Sequence, residues 1–86
     1  MREFTYTIVD PVGMHARPAG LLAKKASEFE SKITVIKGAK RADTRRLMML
    51  MALGVKCGDA IIVQIEGVDE DEAAEKIEKY LIDNKF

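Results

Sequence analysis

Ala60-Ile61-Ile62-Val63-Gln64-Ile65-Glu66, closed by Gly67, alternates Ile61, Val63 and Ile65 against Ile62, Gln64 and Glu66. The period of two and the β-branched side chains predict a strand with one buried face. The period then changes. Ala73 or Ala74, Ile77, Tyr80 and Leu81 recur at helical spacing and predict a helix over about 70–83. Asp69 reads as its cap, with Glu72 three residues on as the capping-box partner. Acidic residues crowd the first turn, where the helix dipole favours them.

Toward the N-terminus, 46–53 is a short, strongly apolar helix ended by Gly54. Leu47, Leu50 and Met51 form its expected buried face, with Met48 and Met49 exposed. Residues 32–37, with Ile33, Val35 and Ile36, predict a strand. Gly38-Ala39 then reads as a tight turn into a short strand over 40–43. Ala19, Leu22, Ala23, Ala26 and Phe29 share one face of a helix over about 16–29. Phe4, Tyr6 and Ile8 alternate in a first strand over 2–8, broken by Asp10, Pro11 and Gly13. The order is β-α-β-β-α-β-α in one domain over 1–86. It predicts an α+β fold, an antiparallel sheet with helices on one face and solvent on the other.

Composition removes several function classes. The 86 residues include one cysteine, Cys57, and one histidine, His15, so no internal disulfide, cysteine zinc site or paired-histidine metal motif is expected. A core this small encloses no large cofactor, and none is expected. There is no apolar run of membrane length and no signal-peptide pattern at the start, so a reduced, cytoplasmic location without membrane insertion is expected. Fourteen Lys and Arg balance fourteen Asp and Glu, but unevenly along the chain. Residues 1–58 hold eleven basic against five acidic side chains; residues 59–86 hold three against nine. Lys37, Lys40, Arg41, Arg45 and Arg46 form the densest basic stretch. It reads as a solvated face, as a docking surface for an acidic protein, or as a nucleic-acid contact, which the acidic last third opposes.

Gly13-Met14-His15-Ala16-Arg17-Pro18-Ala19 is the chemically specific segment. A helix start exposes backbone N–H groups without intrahelical partners, and these bind anions. A neutral imidazole beside them offers a ring nitrogen as nucleophile. Arg17 adds a planar guanidinium suited to phosphate oxygens. Together they point to a histidine that accepts a phosphoryl group. The residue before a proline avoids the helical region, so Arg17-Pro18 argues against a start near 16 and for one at or after Pro18, in which case His15 lies just outside the helix and not at its cap.

This segment closely resembles the active-site signature of the HPr family, the histidine-containing phosphocarrier proteins of the bacterial phosphoenolpyruvate-dependent sugar phosphotransferase system. The length, the element order and the run Leu47-Met48-Met49-Leu50-Met51-Ala52-Leu53-Gly54-Val55 are similar to the family as well. The resemblance implies an open-faced β-sandwich, a four-stranded antiparallel sheet with three helices on one face. It implies that His15 takes a phosphoryl group on Nδ1 from enzyme I and passes it to the IIA domains of sugar permeases. Arg17 would match the family's phosphate-stabilising arginine, with Ala16 beside it in the phosphate-binding turn. The docking face would comprise Lys24, Arg46, Leu47, Met48 and Met51, on a carrier expected to be monomeric.

Two positions depart from the pattern. Relatives from low-GC Gram-positive bacteria carry, at the position matching Arg46, a serine that an ATP-dependent kinase phosphorylates. Val12 stands where the family often has a small polar residue, which leaves one loop hydrogen bond to be supplied by backbone or water. Two other readings remain at this stage: an HPr-like carrier of a regulatory or nitrogen-type branch, and a basic module that binds nucleic acid or protein through Lys37 to Arg46.

Overall fold

The computed structural model describes all 86 residues, Met1–Phe86. Its elements are β1 (Arg2–Thr7), α1 (Ala16–Ala26), β2 (Lys32–Lys37), β3 (Lys40–Asp43), α2 (Leu47–Ala52), β4 (Ala60–Glu66) and α3 (Glu70–Asp83). The sheet order is β1-β4-β2-β3, and every neighbouring pair is antiparallel. This is the four-stranded open sheet with three helices that the element order predicts.

The register shows why one face is covered. Val63 lies opposite Phe4 on one side and Val35 on the other, and Val35 lies opposite Ala42. This row crosses all four strands and faces the helices. One residue along, Thr5, Ile62, Ile36 and Arg41 form the matching outer row. Side chains alternate between faces, so the apolar set at Ile33, Val35, Ile61, Val63 and Ile65 is fully buried. It meets Ala19, Leu22 and Ala26 of α1, Leu50 of α2, and Ala73, Ala74, Ile77 and Leu81 of α3 in one cluster. α3 packs on β1 and β4, α2 packs on β3, and α1 lies between the two helices.

Four local expectations are corrected. First, α1 starts at Ala16, ahead of Pro18, so His15 occupies the N-cap position. The proline falls in the first turn, where its missing N–H forfeits no intrahelical bond. Second, α1 ends at Ala26, not near 29. The Ser27 hydroxyl donates to Lys24 O at 2.6 Å, and the chain tightens through Glu28 N to Lys25 O and Phe29 N to Ala26 O. Phe29 stays buried in that turn.

Third, Asp69 does not cap α3 with its side chain. Its carboxylate accepts the Glu30 and Ser31 amides, each at 2.9 Å, and the Ser31 hydroxyl. Glu72 pairs with Lys76 at 2.7 Å instead of closing a capping box, and Glu70 accepts the Gly67 amide. Fourth, Leu47 is exposed; α2 buries Leu50 and half-buries Met51. Six residues make only about 9 Å of helix, under two turns, which turns few side chains toward the sheet.

Candidate functional site

The loop from Val9 to His15 is built by backbone bonds at both ends. The Val9 and Asp10 amides donate to Phe86 O, each at 2.9 Å. Gly13 N donates to Asp10 O, and Met14 N donates to Val55 O, each at 3.0 Å. Gly13 has φ +81°, and a Cβ there would lie 2.4 Å from Val55 O and 2.8 Å from Lys56 Cα. Only glycine lets the loop lie this close to the segment that follows α2. Met14 is buried beneath it.

His15 follows, with extended backbone angles (φ −91°, ψ −173°). Its amide donates to Gly13 O, and its carbonyl accepts the Ala19 amide, the first closed turn of α1. Of the four N–H groups that a helix start leaves without intrahelical acceptors, His15 has used its own and Pro18 has none. The amides of Ala16 and Arg17 remain open. Both residues are exposed, and the His15 side chain is 38% exposed. None of the four surface concavities is lined by His15. An imidazole on an open surface, with two free amides and a guanidinium within two residues, can present a ring nitrogen to a phosphorus atom carried by another protein. It can also hold the phosphoryl oxygens after transfer.

Asp10 joins this site, and the sequence reading had treated it only as a strand breaker. Its Oδ1 accepts the Val12 amide at 2.8 Å, and its Oδ2 lies 3.7 Å from His15 Nε2. The Val12 main chain is thus held by Asp10 although its side chain is apolar. An aspartate two residues before an amide, followed by Pro11 and Gly13, is the signal of such a turn.

The proposed docking residues fall along two helices. Arg45 donates to Phe29 O at 2.8 Å and to Ser31 O at 3.2 Å, tying the start of α2 to the end of α1. Met14 N to Val55 O ties the end of α2 to the start of α1. The helices therefore pack side by side and antiparallel. Arg17 lies at the His15 end, while Lys24, Arg46 and Leu47 lie toward the other. Arg17, Lys24, Arg46 and Leu47 are exposed, Met48 is 76% exposed, and Met51 is half-buried. These side chains thus run away from His15 in one direction.

The basic stretch is partly engaged inside the fold. Lys37 donates to Gly54 O at 2.7 Å and pairs with Asp59 at 3.1 Å. The Asp59 carboxyl is held below its usual value, chiefly by the Lys56 amide and then by Lys37. Arg45 is held by the two carbonyls above, so neither side chain is a free cation for nucleic acid. No three His, Cys, Asp or Glu side chains are grouped to hold a metal. No helix is long and apolar enough to cross a membrane.

An accessible imidazole beside a small, one-sided sheet suits a carrier that different proteins must reach. Residues 2–83 match the family model described as PTS HPr component phosphorylation site. The phosphocarrier protein HPr of Mycoplasma capricolum is 43% identical over 83 residues, 96% of this chain and 93% of that protein. The solved histidine-containing phosphocarrier protein of Mycoplasma superposes with a TM-score of 0.93 at 42% identity, covering 98% of this chain and 96% of that one. An HPr dimer from Thermoanaerobacter tengcongensis superposes with a TM-score of 0.75 at 40% identity, covering 99% and 97%. The chain belongs to the HPr family, the phosphocarrier proteins of the phosphotransferase system. Members of this family are carriers and not catalytic enzymes.

Proposed function

We propose that this chain is the general phosphocarrier of a phosphoenolpyruvate-dependent sugar phosphotransferase system, working as a monomer in the cytoplasm. His15 accepts a phosphoryl group from enzyme I and passes it to the IIA domains of sugar permeases. The observation that carries this reading is the exposed imidazole at the start of α1, beside the open amides of Ala16 and Arg17. The Nδ1 lone pair forms the bond to phosphorus as the donor's bond breaks and its electron pair leaves with the donor. Arg17 and the two amides hold the phosphoryl oxygens, so the carrier contributes positioning and charge. The partner face runs from Arg17 along Lys24, Arg46, Leu47, Met48 and Met51. Exposed methionines adapt to more than one partner.

His15 is the only imidazole in the chain. Incubation with enzyme I and phosphoenolpyruvate is therefore expected to add one acid-labile, base-stable phosphate, read as a mass increase. His15→Ala is expected to abolish it. A variant that still takes the label overturns the assignment.

A further inference from the structure

We propose that Asp10 is the positioning residue for His15: its carboxylate holds the ring with the proton on Nε2, leaves Nδ1 free, and balances the ring's charge once Nδ1 carries the phosphoryl group. The inference rests on His15 being the acceptor, and it adds a residue outside the Gly13–Ala19 motif to the site.

Asp10 is fixed before it meets the ring. Its amide donates to Phe86 O, its carbonyl accepts the Gly13 amide, and its Oδ1 accepts the Val12 amide. Three anchors leave the carboxylate little freedom, and they point the remaining oxygen, Oδ2, at His15 Nε2. The His15 backbone is anchored from its own side at the N-cap position. A carboxylate oxygen attracts an N–H and repels a lone pair, so the nitrogen it faces is favoured as the protonated one. The tautomer with Nε2–H carries its lone pair on Nδ1.

At 3.7 Å the pair is too long for a hydrogen bond and acts through its charge. Phosphorylation changes that. When Nδ1 forms its bond to phosphorus, the Nε2 proton stays in place and the ring becomes cationic. No proton has to enter or leave. Nε2–H and Oδ2 are then an ion pair and can close to the shorter separation of charge-assisted bonds. When the phosphoryl group departs, the bonding electron pair returns to Nδ1 and the ring is neutral again. Asp10 therefore stabilises the loaded carrier over the empty one and sets how firmly the phosphoryl group is held.

The test uses the full chain, labelled with 15N at histidine, as wild type, Asp10→Asn and Asp10→Ser. Both variants remove the charge and keep an acceptor for the Val12 amide, so the turn persists. Imidazole 15N shifts read the tautomer ratio of the empty carrier. Equilibration with phosphorylated enzyme I reads the phosphorylated fraction. In both variants the ratio of Nε2–H to Nδ1–H is expected to fall about 3–5-fold, and the transfer equilibrium to move about 3–5-fold toward enzyme I, the scale of a part-exposed ion pair. Unchanged ratio and equilibrium in a variant with a native amide spectrum overturn the proposal. If wild type takes no phosphoryl group at His15, the reading of the acceptor fails, and the tautomer ratio still decides whether Asp10 sets the ring.

Discussion

Arg17 occupies the second helical position of α1, exposed, with an open amide and a side chain that is charged at every working pH. A phosphoryl group arriving at His15 brings negative charge to that turn. Arg17→Glu reverses the local sign while leaving the imidazole and the fold in place, because nothing in the core depends on the guanidinium. Phosphotransfer from enzyme I is expected to slow at least about 10-fold, the equivalent of about 1.4 kcal/mol in the barrier. Arg17→Lys keeps the charge, loses the planar fork, and is expected to fall between the two in rapid-quench assays. An Arg17→Glu variant as fast as wild type removes the residue from the mechanism. The grouping of His15, Ala16 and Arg17 at one helix start was legible in the sequence because the three are adjacent. Asp10 was not, since its meeting with His15 depends on the path of the turn between them. The start of α1 near residue 16 followed from the apolar spacing, and the competing rule for residues before proline is a bias that the His15 carbonyl to Ala19 amide bond outweighs.

The strands were legible because a period of two maps directly onto faces, and Ile61, Val63 and Ile65 are buried as their alternation predicts. Helix ends were less so. They turn on single side chains such as Ser27, whose hydroxyl competes for a helical carbonyl. Asp69 is the clearest case, because the groups that claimed its carboxylate lie 38 and 39 residues away in the chain. Sequence spacing cannot show them. The Ser31 hydroxyl first, then the Glu30 amide, hold the Asp69 carboxyl below its usual value. A carboxyl with a lowered value in the folded state binds its proton more readily in the unfolded chain. Its contribution is therefore present in full above the ordinary carboxylate range near pH 4, and it is lost as pH falls through the lower folded value. Asp69 joins the start of α3 to the start of β2, so its protonation loosens two elements together. Urea midpoints of wild type are expected to decline as the pH is taken from about 5 to about 2. Asp69→Asn is expected to start lower and decline less steeply. Parallel curves for the two proteins would show that this carboxylate is not a source of the acid sensitivity.

The charge asymmetry along the chain becomes an asymmetry across the molecule. α3, with Glu70, Asp71, Glu72, Glu75, Glu78 and Asp83, lies over β1 and β4, while α2, preceded by Arg45 and Arg46, lies over β3. α1 separates them and presents Arg17 at one end and Lys24 at the other. The basic side and the His15 end therefore meet along the α1–α2 face, and the acidic helix flanks the opposite side. On the proposed function, such a division would orient the carrier toward an acidic partner during encounter and add little to affinity once apolar side chains such as Met48 are seated. Arg46 bears on this most directly, since it stands at the N-cap position of α2, exposed and without an ion-pair partner. Arg46→Asp introduces the opposite charge at that place. Phosphoryl uptake from enzyme I is expected to slow by several-fold at about 10 mM salt, where the Debye length is about 30 Å. It should recover much of its rate near 1 M salt, where that length is about 3 Å. Stopped-flow or quenched-flow rates across that range decide the matter, and the salt dependence separates a steering charge from a damaged fold. A rate that is unchanged at low salt, or slowed equally at every salt concentration, would place the encounter surface elsewhere. NMR titration with enzyme I then locates it, with shifts along Arg17, Lys24, Leu47 and Met48 expected, and shifts confined to α3 contrary to the proposed face.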